Sequence, residues 1–117
     1  MSIHKNLIIN ADDLGYNNPT NEAISFCFEQ GYINSTSLMT NTACYEEAVD
    51  IIHQNSSIIN IGLHINLGSG RPVSNFVNKA YLNEEGEWDR QKTNQVLNYF
   101  DSTVRAEFST EIHAQID

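Results

Sequence analysis

Basic residues are scarce in this chain: six Lys and Arg stand against 15 Asp and Glu, for a net charge of −9 at pH 7. That balance repels phosphate backbones and anionic lipid, so nucleic acid and membrane surfaces are not expected partners. Long apolar runs are missing as well. No window approaches the roughly 18 consecutive apolar residues of a membrane span. The N-terminus shows no basic stretch leading into an apolar one, which leaves a cytoplasmic protein as the expectation. Cysteine is limited to Cys27 and Cys44, without a CxxC pair or zinc-cluster spacing, and both read as buried thiols. No repeat, low-complexity tract or interdomain linker interrupts the 117 residues, which suffice for a single modest domain.

What is present is an alternation of short apolar runs and amphipathic helices. Leu7 to Ala11 reads as a strand buried on both faces, with Asp12 to Asn18 as the loop after it. The helix that follows takes Asn18 as its cap, Pro19 at the first helical position, Glu22 in the first turn and Gly31 as a left-handed stop. It turns Ala23, Ile24, Cys27 and Phe28 to one side. Ser35 to Thr40 reads as a second strand, Tyr45 to Gln54 as a second helix, and Ile58 to Leu67 as a third strand. Strands alternating with helices of about ten residues imply right-handed βαβ crossovers and a parallel sheet or barrel. Active-site groups then belong at the C-terminal strand ends.

Beyond the third strand, Gly68 to Asn75 is loop by composition, and Tyr81 to Trp88 reads as a small hairpin turning at Glu85-Gly86, set over the strand ends. From Asp89 the pattern is helical, with Val96, Leu97 and Phe100 in one segment and Val104, Phe108 and Ile112 along the next. No glycine, basic turn or proline closes that helix before Asp117, so the chain is expected to be cut from, or a shortened relative of, something longer.

Two carboxylates, Asp12 and Asp13, fall where Leu7-Ile8-Ile9 gives way to Gly15. Neighbouring residues leaving a strand point in different directions, unlike a glycosidase pair with carboxyls about 5 to 10 Å apart across a sugar. The pair suits a division of labour in which one carboxylate ligates a divalent cation and the other takes a proton from water, as in amide hydrolysis. The same residues also serve well as turn or helix caps, and spacing alone leaves that open. In the third strand, Ile59, Ile61, Leu63, Ile65 and Leu67 take one face, leaving Asn60, Gly62, His64 and Asn66 on the other. A face of Gly, His and Asn has room for a ligand, and imidazole suits several divalent metals. The competing reading is a core histidine satisfied by backbone. His4, His53 and His113 read as structural: before the first strand, at a helix C-terminus, and on the last helix between Ile112 and Ile116.

Taken together, Leu7-Ile8-Ile9-Asn10-Ala11-Asp12-Asp13-Leu14-Gly15, Asn21-Glu22-Ala23-Ile24, Ser35-Thr36-Ser37-Leu38-Met39, Gly62-Leu63-His64-Ile65-Asn66-Leu67 and Gly70-Arg71-Pro72 resemble the opening half of the YdjC-like carbohydrate deacetylases, which include the chitooligosaccharide deacetylases. The resemblance runs from Asn6 to the end of the chain. It implies an α/β fold, the N-terminal portion of a distorted (β/α) barrel of the polysaccharide-deacetylase type. The implied reaction removes N-acetyl groups from a short amino-sugar oligosaccharide, using Mg²⁺ or another divalent ion such as Zn²⁺. It further implies Asp12 as general base, Asp13 and His64 as metal ligands, and Asn66 and Arg71 as substrate contacts, with a third ligand from a His-rich strand beyond Asp117. A portion of a barrel leaves sheet edges and apolar surface uncovered, so a homodimer is expected. The alternative is a non-catalytic, oligomeric fragment that binds carbohydrate or metal without turnover.

Overall fold

Three short runs of extended backbone form a parallel sheet in the computed structural model, which describes residues 7–96 and 101–117. The strands are β1 (Asn10–Leu14), β2 (Ser35–Leu38) and β3 (Ile61–Leu63), in that spatial order. Helices α1 (Asn18–Glu29) and α2 (Tyr45–Gln54) make the two crossovers, so the α/β class is the one the alternation implies. The chain divides into two compact units, Met1–His64 and Ile65–Asp117.

In the first unit the helices bury Leu14, Ile24, Phe28, Ala48 and Ile58, with Ala11, Ile33, Leu38, Ile51 and Ile52 packed against them. Thr36 and Leu38 face this core, which leaves Ser35 and Ser37 on the opposite face of β2. The helix cap is Asn17 rather than Asn18: the Asn17 side chain accepts from Thr20 N at 2.9 Å, and Pro19 follows in the first turn. The first strand also lies further along than its apolar residues suggest. Leu7 to Ile9 are exposed, Ile8 to 76%, and are tied to the Asn34 side chain, which accepts from Ile9 N and donates to Leu7 O. The ladder proper begins at Asn10. Likewise β3 has three residues where ten were expected, and its Ile61 and Leu63 stand substantially exposed at the sheet edge.

The second unit is built on aromatic packing. Phe76, Tyr81, Leu82, Trp88 and Phe108 form its buried cluster, with Phe108 meeting Tyr81 edge-on at 4.8 Å and Phe76 at 5.3 Å. The expected hairpin reduces to one antiparallel bridge, Leu82 to Trp88, closed by a turn in which Gly86 has φ 77° and donates to Asn83 O. Helices α3 (Arg90–Val96) and α4 (Ser102–Ile116) follow, the second capped by Asp101, whose carboxylate accepts from Val104 N at 2.8 Å. Leu97, Phe100 and the Val96 side chain lie outside the described residues. Among the described residues no helix is long and apolar enough to cross a membrane.

Beside Phe108, α4 buries two polar side chains, Glu111 and Gln115. The Glu111 carboxylate accepts from Val73 N at 3.0 Å, Ser74 N at 2.8 Å, the Ser74 hydroxyl and the Gln115 amide at 2.8 Å. Gln115 in turn accepts from Asn66 N and donates to Asn66 O, each at 2.9 Å. Burial pushes the Glu111 pKa up, yet the donors from Gln115, Ser74 and the Val73 and Ser74 backbone together draw it below the ordinary glutamate range. A folded-state pKa below the unfolded one gives stability that is complete above about pH 4 to 5 and is lost as pH falls through the folded value. Thermal melts between pH 3 and 7 should therefore show an acid-labile transition that flattens in Glu111→Gln; an unchanged pH slope in that variant would contradict the assignment.

Candidate functional site

The register slips across β1. Asn10 pairs with Ser35 and Ala11 with Thr36, but the next pair is Leu14 with Leu38, so three steps on β1 match two on β2. The extra residue falls at Asp12-Asp13, and Asp13 has φ 70°. A left-handed residue inside a bulge re-aims the side chains around it, and Asp tolerates that conformation better than most residues with a Cβ. Around this kink the two carboxylates take different partners. Asp12 Oδ1 accepts from Ser37 Oγ at 3.0 Å, Ser37 Oγ lies 3.4 Å from His64 Nδ1, and Asp13 Oδ1 lies 3.5 Å from the same nitrogen.

Gly15 fixes the turn that follows. Its φ is 96°, and a Cβ there would meet Met39 O at 2.9 Å, so no other residue fits without a backbone shift. Its N–H donates to the buried Asn21 Oδ1 at 2.7 Å and its carbonyl accepts from Thr42 Oγ1 at 2.6 Å. Asn21 Nδ2 reaches on to Cys44 O and Glu47 Oε1, so one buried amide ties the carboxylate-bearing turn to α2.

His64 sits one residue past β3, pinned by its N–H to Leu38 O at 2.8 Å. Its Nδ1 has the Asp13 N–H at 3.4 Å, Ser37 Oγ at 3.4 Å and Asp13 Oδ1 at 3.5 Å, all at the long end of hydrogen bonding. These atoms converge without closing on one another. Two donors on one divalent ion, each about 2.0 to 2.2 Å from it, stand about 3.0 to 3.6 Å apart, so the Asp13 and His64 atoms fit such an ion. Both side chains remain open to solvent, 50% for Asp13 and 28% for His64. Among the described residues no three His, Cys, Asp or Glu side chains gather as a metal site.

A serine hydrolase arrangement is not what this is. Ser37 and Asp13 both face Nδ1, whereas a relay needs the hydroxyl at one ring nitrogen and the carboxylate at the other.

In the second unit, Asn66 is buried and organises its own turn, donating from Nδ2 to Ser69 O and accepting at Oδ1 from Gly68 N. Arg71 is exposed in the same loop, with Glu87 at 4.0 Å. His53 and His113 are exposed, His113 against Ser109 O on its own helix, and His4 lies outside the described residues. Cys27 and Cys44 are free and half-buried rather than buried. Sequence reasoning passed over Asn10 and Ser37. The available signal was alternation, since Thr36 and Leu38 take the core face and so turn Ser37 towards the carboxylates.

The protein-family model described as YdjC-like protein matches residues 6–117. Carbohydrate deacetylase 2 of Listeria innocua serovar 6a is 36% identical over 108 residues, covering 92% of this chain and 42% of that relative. The carbohydrate deacetylase of Clostridium beijerinckii is 39% identical over 82 residues, covering 70% and 33%. The chain thus spans less than half the length of these curated relatives. A crystal structure from Enterococcus faecalis V583, provisionally assigned to cellobiose-phosphate cleavage, superposes with a TM-score of 0.75 at 24% identity, over 93% of this chain and 41% of that one. At that identity the likeness concerns the fold alone.

The left-handed backbone at Asp13 generates a stability test. An alanine at φ 70° carries a penalty of about 1 to 2 kcal/mol that glycine escapes. Urea unfolding should find Asp13→Gly more stable than Asp13→Ala by about 1 kcal/mol, although both lose the carboxylate. Equal stabilities would contradict the strained geometry.

Proposed function

Because the chain belongs to the YdjC-like protein family, we propose that it is the portion of a carbohydrate deacetylase carrying the proton-accepting carboxylate and two donors for a divalent cation. Support comes from the convergence of Asp12, Asp13 and His64 at the C-terminal end of the parallel sheet, with the Asp13 and His64 donor atoms 3.5 Å apart. The names of the relatives point to the same chemistry. By this reading the strands belong to a distorted (β/α) barrel, and the substrate is an N-acetylated amino-sugar oligosaccharide.

Asp13 Oδ1 and His64 Nδ1 would hold the ion, Mg²⁺ or another divalent cation such as Zn²⁺. When bound, such an ion would supply Lewis-acid chemistry, polarising the acetyl carbonyl and lowering the pKa of water at the site. Asp12 takes the proton from the attacking water and returns it to the departing amine, since its carboxylate is exposed beside the Asp13 and His64 pair without being part of it. Arg71 and Asn66 keep the substrate-binding roles that the family resemblance implies, and within the second unit Asn66 orders the loop through Ser69.

Two protein donors hold a cation weakly, and the absence of a third among the described residues favours a second reading for these 117 residues taken alone. They would then form a dimeric or larger binding module without turnover.

Acetate release from N,N′-diacetylchitobiose by the full-length gene product is the deciding assay. It should require an added divalent cation, stop with chelator, and fall about a hundredfold or more in Asp12→Asn and His64→Ala. Release that survives either substitution would overturn the role given to that residue, and a gene product that releases no acetate would remove the deacetylase reading. Binding of cation or sugar by the 117 residues with no release would support the second.

A further inference from the structure

Asp12 is exposed, and a surface carboxylate ordinarily rotates among several orientations. Here it has two neighbouring donors, and both fall on one oxygen: Asn10 Nδ2 at 2.8 Å and Ser37 Oγ at 3.0 Å from Oδ1. Asn10 Nδ2 also lies 3.4 Å from Ser37 Oγ, so the three side chains close a triangle across β1 and β2. The register makes this possible. Asn10 precedes the bulge, Asp12 lies within it, and Ser37 follows the core-facing Thr36 on the neighbouring strand.

Ser37 has one proton and two acceptors within reach, Asp12 Oδ1 at 3.0 Å and His64 Nδ1 at 3.4 Å. The charged, nearer carboxylate takes it. We propose that Asn10 and Ser37 are positioning residues for the deacetylation reaction, fixing the plane of Asp12 through Oδ1 so that Oδ2 is the oxygen presented to the attacking water. Among the described residues nothing donates to Oδ2, which leaves it free for that role. A second effect follows from the same proton. Because Ser37 gives it to Asp12, the hydroxyl does not compete for His64 Nδ1, which faces the Asp13 N–H at 3.4 Å. Ser37 thus keeps the proton-accepting and ligand-bearing halves of the site apart while touching both.

The inference rests on the deacetylase reading, and its test separates the two. In the full-length protein, Ser37→Ala and Asn10→Ala should each lower kcat by about tenfold or more, because a mis-set base loses rate rather than binding. KM and Mn²⁺ affinity, the latter followed by titration, should stay within about twofold of the parent. Thermal stability should hardly move, since these hydrogen bonds are at the surface. Ser37→Thr keeps the hydroxyl and should restore most of the rate. A parent enzyme that releases acetate while Ser37→Ala and Asn10→Ala keep their kcat would overturn the positioning role alone. A parallel loss of Mn²⁺ affinity and kcat would also overturn it, by making Ser37 a support of the ion site. A parent that releases no acetate would sink the deacetylase reading and this inference with it.

Discussion

Inside an otherwise regular parallel strand, one aspartate adopts the backbone conformation that L-residues avoid, and the candidate site depends on that kink. Regular pleating sends consecutive side chains to opposite faces, so without the extra residue one carboxylate of the Asp12-Asp13 pair would enter the core formed by α1 and α2. The bulge keeps both out of it. It also sets the Asp13 carboxylate beside the imidazole of His64, which the ladder of β2 and β3 delivers to the same place through the His64 to Leu38 backbone bond. Strain of this type persists only where surroundings over-determine the geometry. Those surroundings are visible: Gly15 wedged against Met39 O, and the Asn21 and Thr42 side chains gripping its peptide from both sides.

Much of the architecture could be read from the chain. Tyr45–Gln54 is helical over the span its apolar spacing predicts, and the strand-helix alternation yields the parallel sheet. The boundaries of β1 were misplaced for a physical reason. Leu7, Ile8 and Ile9 look like a buried strand by composition, but their backbone is held by the side chain of Asn34 and their own side chains are exposed. Polar side-chain ties to backbone leave no periodic trace in a sequence.

Within the site, the three residues singled out by type and spacing do come together, whereas the means of bringing them together was not legible. A bulge is one residue of mismatch between two strands, and neither strand carries it alone. Ser37 was hidden for a similar reason, since its face is defined only once Thr36 and Leu38 are known to be covered by helices. The second unit repeats the lesson, for the spacing of Val104, Phe108 and Ile112 marks an apolar stripe on α4, while the residues the helix buries also include a carboxylate and an amide.

That mixed face of α4 has a consequence for how the helix finds its place. Grease alone is forgiving, and a helix resting on an apolar bed can slide by a turn with little loss. With Glu111 answering the Val73 and Ser74 amides and Gln115 answering both backbone groups of Asn66, a one-turn slip would strand an ionised group among phenyl rings. The helix is keyed as well as packed, so the loop it holds has one address rather than several.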